Sequence, residues 1–300
     1  MRLTAFGPGK IILLGEHGVV YGHPALAGPL SRGVRAWAEP ASATQLELPE
    51  GLSAAHQAQL EKAFARAAKK TRHPKVSVHL ESDLPVSMGL GSSGALSVAI
   101  SRVLLEAKSA GPAKAEQVEA LAFEMEKEFH GTPSGVDHTT SARNTLLLFR
   151  QGVAREVSAP VPLTVLVALV GPRASTRATV GSLRERQARW PARYRRVFAH
   201  IAALVREGAL AVKAGELETL GDIMNMNQGL LSALGLSSPT LEAMVHRLRA
   251  HGALGAKLTG AGGDGGAVIG LFREPEPVLV ALRREGVDCF VSQLAGPRAS

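Results

Sequence analysis

Cysteine is almost missing from this chain of 300 residues, with Cys289 standing alone. One thiol excludes an internal disulfide framework and fits a reducing compartment, so the expectation is a cytoplasmic protein. Aromatic residues are scarce too: two Trp, two Tyr and eight Phe. Few rings are therefore left to interleave with basic residues as a stacking platform for single-stranded nucleic acid. The longest apolar run, "VPLTVLVALV" at 161–170, is too short to span a bilayer. The opening "MRLTAFGPGKIILLGEHG" has no charged start, no unbroken apolar centre and no small-residue cleavage pattern of the secretory kind. Solenoid repeats and low-complexity tracts do not occur.

What the chain does contain is typical of a folded globular protein, 45% apolar and 20% charged. A chain of this length buries roughly three quarters of its unfolded surface, enough to fold as one large domain or two ordinary ones without staples. The formal net charge of +8 leaves nucleic acid, an acidic membrane surface and an anionic small substrate as candidate partners. Much of the excess lies in "RASTRATVGSLRERQARWPARYRRVF", 173–198, which reads as a solvated helical surface.

The first 80 residues read mostly as strands, "KIILLG", "GVRAWAE", "TQLEL" and "KVSVHLE", interrupted by a helix over 53–71. Helices are predicted over 94–108, with Leu96, Ile100, Val103 and Leu104 at helical spacing, and over 113–129, with Val118, Leu121, Met125 and Phe129 on one face. A third is predicted to begin near Val136. After the strand at 161–170, helices are expected across 176–251, broken at Pro191, Gly208, Gly215 and Gly235. "AKLTGAGGDGGAVIGLF" reads as strand, glycine loop and strand, followed by a late helix and the strand "DCFVSQL". Strands and helices segregate in this pattern, so the expected class is α+β rather than a doubly wound sheet, with a break near residue 160.

Chemistry concentrates in "GLGSSG", 89–94. Gly89, Gly91 and Gly94 match G-x-G-x-x-G, but no second strand ending in an acidic residue follows, as a dinucleotide site requires. No lysine follows as in a Walker loop, and the protein-kinase signatures are absent. A glycine loop feeding a helix N-terminus nevertheless presents free N–H groups to an anion, and polyphosphate suits such a place. One of Ser92 and Ser93 can cap the helix; a second hydroxyl beside phosphate suits Mg²⁺, a hard cation that takes oxygen ligands. Two more stretches join this one. "PGKIILLGEHGVVYGHPALA", 8–27, places Lys10, Glu16 and His17 around a strand and its exit turn, and "KLTGAGGDGGAVIGL", 257–271, supplies a second glycine loop.

In order and spacing these three stretches resemble the three motifs of the galactokinase, homoserine kinase, mevalonate kinase and phosphomevalonate kinase (GHMP) superfamily. "GEHGVVYGHPALA", "HGTPSGVDH" and "RAST" resemble its mevalonate kinase branch most closely. The resemblance implies a two-lobed α+β fold with N-terminal (1–160) and C-terminal (161–300) domains and an active site in the cleft between them. It also implies ATP and Mg²⁺-dependent phosphorylation of mevalonate, no nucleic-acid or membrane partner, and a homodimer. Ser82, Ser87, Met88, Gly89, Leu90, Gly91, Ser92 and Ser93 would contact the nucleotide, with Ser93 and Glu126 holding Mg²⁺. Glu126 precedes Asp137 by eleven residues, as the family's acidic ligand does. Read without the resemblance, Glu126 belongs to a charged helical surface, with Glu124 and Glu128 as its rivals. Asp137 matches the family's base and Lys10 the lysine beside it; read locally, Asp137 is a helix cap. Glu16 and His17 would orient the substrate or support Lys10, and Thr176 would lie near the substrate, or cap the helix it starts. Two departures stand out: Ser87 and Met88 replace small residues common among relatives, and Asp264 places an acid within the third glycine motif.

Overall fold

The computed structural model describes residues 3–49, 51–85, 88–109, 111–171 and 176–296. In chain order the elements are β1 (Leu3–Leu14), β2 (Ala25–Pro40), β3 (Gln45–Leu46), α1 (Ala54–Lys70), β4 (Val76–Ser82), α2 (Ser92–Ser109), α3 (Ala115–His130) and α4 (Val136–Arg143). They continue as β5 (Leu147–Arg150), β6 (Val153–Glu156), β7 (Leu163–Val170), α5 (Thr176–Arg189), α6 (Pro191–Ala214), α7 (Leu217–Ala233) and α8 (Pro239–Ala250). The last are β8 (Gly255–Thr259), β9 (Gly266–Leu271), α9 (Glu276–Arg284) and β10 (Cys289–Ala295). The chain forms two compact units interleaved along the sequence, and it passes from one to the other within β1 and β2.

The first unit comprises Met1–Lys10, Arg32–Pro85 and Gly91–Asn144. Here the later half of β2 pairs antiparallel with β4, from Val34↔Ser82 to Pro40↔Val76, and β3 runs parallel to β4. Helix α1 starts at Ser53, whose side chain accepts from the His56 N–H, and it buries Leu60, Phe64 and Ala67 on one face. α2 lies among α1, α3 and α4, and Val98 of α2, Val118 and Ala122 of α3 and Ala142 of α4 form a core.

The second unit comprises Ile11–Ser31, Val86–Leu90 and Thr145–Ser300. Its four-stranded sheet has the order β10-β7-β9-β8, antiparallel throughout, and α7 and α8 contact its β8 and β9. Such segregation is the α+β arrangement that the sequence pattern predicts. The glycine loop 260–265 joins β8 to β9, so the strand–loop–strand reading of that stretch holds. Asp264 within it is exposed.

Two expectations need correction. Gly208 does not break a helix: it lies buried inside α6, where a Cβ would stand 2.3 Å from Leu14 Cδ1. Its lack of a side chain makes room for Leu14, a packing role that sequence cannot separate from a helix stop. Pro191, Gly215 and Gly235 do sit at helix ends. The strand expected at "TQLEL" shrinks to Gln45–Leu46. The hairpin β5–β6, which the sequence reading passes over, turns on Gln151 (φ 48°) and Gly152 (φ 80°), two positive-φ residues of the kind that join twisted strands.

Candidate active site

In the first unit, Lys10 on β1 and Asp137 in the first turn of α4 form an ion pair, Nζ to Oδ1 3.2 Å. The lysine is buried, whereas the Asp137 side chain keeps 29% of its surface. α4 has Gly135, not Asp137, at its N-cap, so the aspartate is not consumed as the cap. Two glycines permit this meeting. A Cβ on Gly91 would stand 2.8 Å from Lys10 Cγ, and one on Gly94 would stand 3.1 Å from Asp137 Cβ and from the His138 N. The start of α2 therefore lies directly against both members of the pair.

Glu126 faces the same place. Successive positions on α3 turn by about 100°, so Glu124 and Glu128 point to Arg66 on α1, at 3.2 and 2.6 Å, while Glu126 points inward. It is 1% exposed and accepts from Ser97 Oγ (3.2 Å) and Ser93 Oγ (3.4 Å). Burial pushes its carboxyl up to about 8, and the Asp137 charge adds to the rise. The two serine hydroxyls and Lys10 pull in the opposite direction. His130, the last residue of α3, lies with Nε2 3.0 Å from Ser93 Oγ and 3.8 Å from Glu126 Oε2.

In the second unit, Glu16 and Lys257 are both fully buried and form an ion pair, and Asn227 Nδ2 donates to the same carboxylate at 3.2 Å. Lys257 also donates to the Leu258 carbonyl at 2.6 Å. Burial pushes Glu16 up and Lys257 down, each opposed by the other's charge. His17 adopts φ 57° and sets Nε2 2.8 Å from the Ala261 carbonyl oxygen; burial lowers its pKa. Thr259 Oγ1 both donates to the Ile12 carbonyl and accepts from the Ile12 N–H, each at 3.0 Å. Gly89 (φ 79°) lies so near the Gly260 backbone that a Cβ would be 3.3 Å from Gly260 Cα. The exit of β1, the loop around Gly89 and the β8–β9 turn are thus tied together.

The chain is similar to known proteins over most of its length. The family described as GHMP kinases N terminal domain matches residues 58–144, and GHMP kinases C terminal matches 202–288. A mevalonate kinase of Aeropyrum pernix is 36% identical, over 91% of this chain and 89% of its own length. One from Thermococcus onnurineus is 33% identical over 88% of each. The chain belongs to the GHMP kinase family. Among solved GHMP kinase folds, the crystal structure of L. major mevalonate kinase in complex with R-mevalonate superposes with a TM-score of 0.85 at 27% identity, covering 98% of this chain and 97% of that one.

Against the GHMP kinase motifs, the expected site residues fall into two groups. Lys10, Gly91, Ser92, Ser93, Glu126 and Asp137 lie in the first unit, and Glu16, His17, Met88, Gly89 and Leu90 in the second. Met88 and Leu90 bury their side chains, which leaves their main chain as the part a nucleotide could meet. Ser82 ends β4 and spends its hydroxyl on the Leu84 N–H at 3.2 Å. Ser87 lies outside the described residues; Thr176 opens α5, and its side chain lies outside them as well. Sequence reasoning missed Ser97, His130, Lys257 and Asn227. His130 carried a usable signal, the i,i+4 spacing from Glu126 that places two helical side chains on one face. Lys257 carried none, because nothing local distinguishes a buried lysine in a short strand from an exposed one.

Proposed function

We propose that this chain transfers the γ-phosphoryl group of ATP to the primary hydroxyl of mevalonate, giving 5-phosphomevalonate and ADP. The observation that carries the reading is the Lys10–Asp137 pair, a buried ammonium 3.2 Å from a carboxylate that retains access to a ligand. An alcohol ionises only near the pKa of water, about 16, so Asp137 does not make an alkoxide in advance. Its carboxylate accepts the hydroxyl proton as the oxygen–phosphorus bond forms, and the Lys10 charge stabilises the negative charge gathering on the transferring group. The main chain of 88–92 and the N-terminus of α2 would cradle the phosphates, with Ser82 and Ser87 near the nucleotide. Glu16 and His17 would orient the substrate or support Lys10, and Thr176 would lie near the substrate. The mevalonate kinase names of the relatives, and the R-mevalonate in the L. major structure, favour this acceptor.

Ser93 and Glu126 would hold Mg²⁺. The donor set fits: a hydroxyl and a carboxylate are hard oxygen ligands, and a carboxylate pushed up to about 8 beside Asp137 is short of compensating positive charge. When bound, the ion neutralises charge on the β- and γ-phosphates. A homodimer, a cytoplasmic location and a division of the two family domains near residue 160 complete the proposal.

An acceptor panel tests it. With ATP and Mg²⁺, the purified chain should release ADP on addition of mevalonate and far less with phosphomevalonate or homoserine. Asp137→Asn should keep its fold and its ATP binding and lose turnover by at least about a hundredfold. Preference for homoserine, or equal ADP release without acceptor, would reject mevalonate as substrate.

A further inference from the structure

The geometry points to His130 as a third protein ligand of the cation, which makes this a mixed oxygen–nitrogen site that takes Mn²⁺ or Co²⁺ more tightly than Mg²⁺. The inference rests on the proposed Mg²⁺ role of Ser93 and Glu126 and extends it. Three donor atoms from two helices converge. Ser93 Oγ lies 3.0 Å from His130 Nε2 and 3.4 Å from Glu126 Oε2, and the imidazole nitrogen lies 3.8 Å from that same carboxylate oxygen. Adjacent ligands of an octahedral ion with bonds of about 2.1 Å are about 3.0 Å apart. The two separations that involve Ser93 lie near that value and the one between His130 and Glu126 exceeds it, so the three side chains would hold one ion once that gap shortens.

The positions of the three side chains are set by the helices that carry them. Glu126 and His130 are one turn apart on α3, and Ser93 stands at the start of α2. The carboxylate is buried, whereas the histidine side chain is 47% exposed, so a small rotation of the imidazole closes the widest gap. Hydroxyl and carboxylate oxygens alone suit Mg²⁺; an imidazole nitrogen favours later first-row ions, which stand higher in the affinity order and accept nitrogen ligands readily. A bland account is available, since a histidine in the last turn of a helix also complements the carbonyl end of the helix dipole. That account needs no metal and predicts no effect on metal affinity.

Mn²⁺ supplies the probe. It is titrated into the full chain, with and without a non-hydrolysable ATP analogue, and read by its electron paramagnetic resonance. Directly bound nitrogen is read by electron spin echo modulation, and Mg²⁺ affinity by competition. The wild-type chain should show nitrogen coupling. His130→Ala should lose it, weaken Mn²⁺ by at least about tenfold and change Mg²⁺ by less than about threefold, with an unaltered unfolding temperature. His130→Gln, whose side-chain oxygen reaches about as far as Nε2, should restore Mg²⁺-like selectivity without nitrogen coupling from the ring. No nitrogen coupling in the wild type in either state overturns the inference. So does an unchanged Mn²⁺ affinity in His130→Ala while Glu126→Gln and Ser93→Ala lose it, and the Ser93–Glu126 site then stands without the histidine. If none of the three variants alters Mn²⁺ binding, the cation lies elsewhere, and both the site and the inference fail.

Discussion

His138 follows Asp137 and turns the opposite way, into the unit, where its ring lies 5.2 Å from that of Phe123. Its Nδ1 is buried without a hydrogen-bond partner among the described residues, and burial lowers its pKa to about 4 despite the neighbouring aspartate charge. An ordinary histidine titrates near 6.5. Between these two values the unfolded chain binds the proton and the folded chain does not, so stability falls as pH drops from about 6.5 toward 4. Unfolding by urea across that range should show the loss, at most about 1.4 kcal/mol per pH unit from this one group. His138→Gln should flatten the profile between pH 6.5 and 4; a slope unchanged from wild type would mean that other groups carry the acid sensitivity. Asp137, one residue earlier, faces Lys10 instead. Two neighbouring positions on α4 thus serve the core and the site separately, because a helix turns its consecutive side chains by about 100°.

Elements meet closely where glycine replaces a side chain. α7 touches the start of β8 at Gly221, where a Cβ would stand 2.5 Å from the Leu254 backbone, and Gly255 faces it from the other side at 2.2 Å from the Gly221 oxygen. Backbone cannot yield as a side-chain tip can. Gly221→Ala should therefore cost about 1–3 kcal/mol in denaturant unfolding despite the alanine's better helix propensity. Gly208→Ala, which meets side-chain tips and is crowded by Leu14 alone, should cost less; the reverse ranking would show that β8 shifts more readily than Leu14. A glycine within a helical stretch reads as a stop whether or not a neighbour packs against it, which is why Gly208 is expected to break its helix. The long helices were legible, since α1, α2 and α3 bury faces at helical spacing; Ser53 and Gly215 mark helix ends by local chemistry. β5 and β6 were not, because four-residue strands around a Gln-Gly turn show too little alternation to separate from loop. In the site, the eleven-residue spacing from Glu126 to Asp137 could be read from the sequence. The inward turn of Glu126 could not, since it depends on where Arg66 of α1 draws the neighbouring glutamates.

Across the whole molecule, the second unit joins residues near the start of the chain to residues near its end. Glu16 and Lys257 are 241 positions apart, yet both are fully buried and paired. Neither has a local reason to be buried: one follows a glycine in the turn after β1, and the other sits within a five-residue strand. Each becomes tolerable through the other, with Asn227 donating to the carboxylate and the Leu258 carbonyl accepting from the ammonium. A pair of this kind adds little net stability over an apolar replacement of similar volume, because both ions have left water; removing one partner is another matter, since it strands a buried charge. Lys257→Met should therefore destabilise the chain by about 3–5 kcal/mol, whereas Lys257→Met combined with Glu16→Gln should recover most of that loss. Thermal and urea unfolding of the wild type, both single variants and the double variant close the cycle. If the double variant is as unstable as Lys257→Met alone, the cost arises from packing around the lysine stem, and the stranded carboxylate is not its source. If instead it recovers stability but its KM for ATP rises with kcat held, the pair's value lies in fixing the turn that bears His17, whose φ of 57° and bond to the Ala261 carbonyl require a rigid floor.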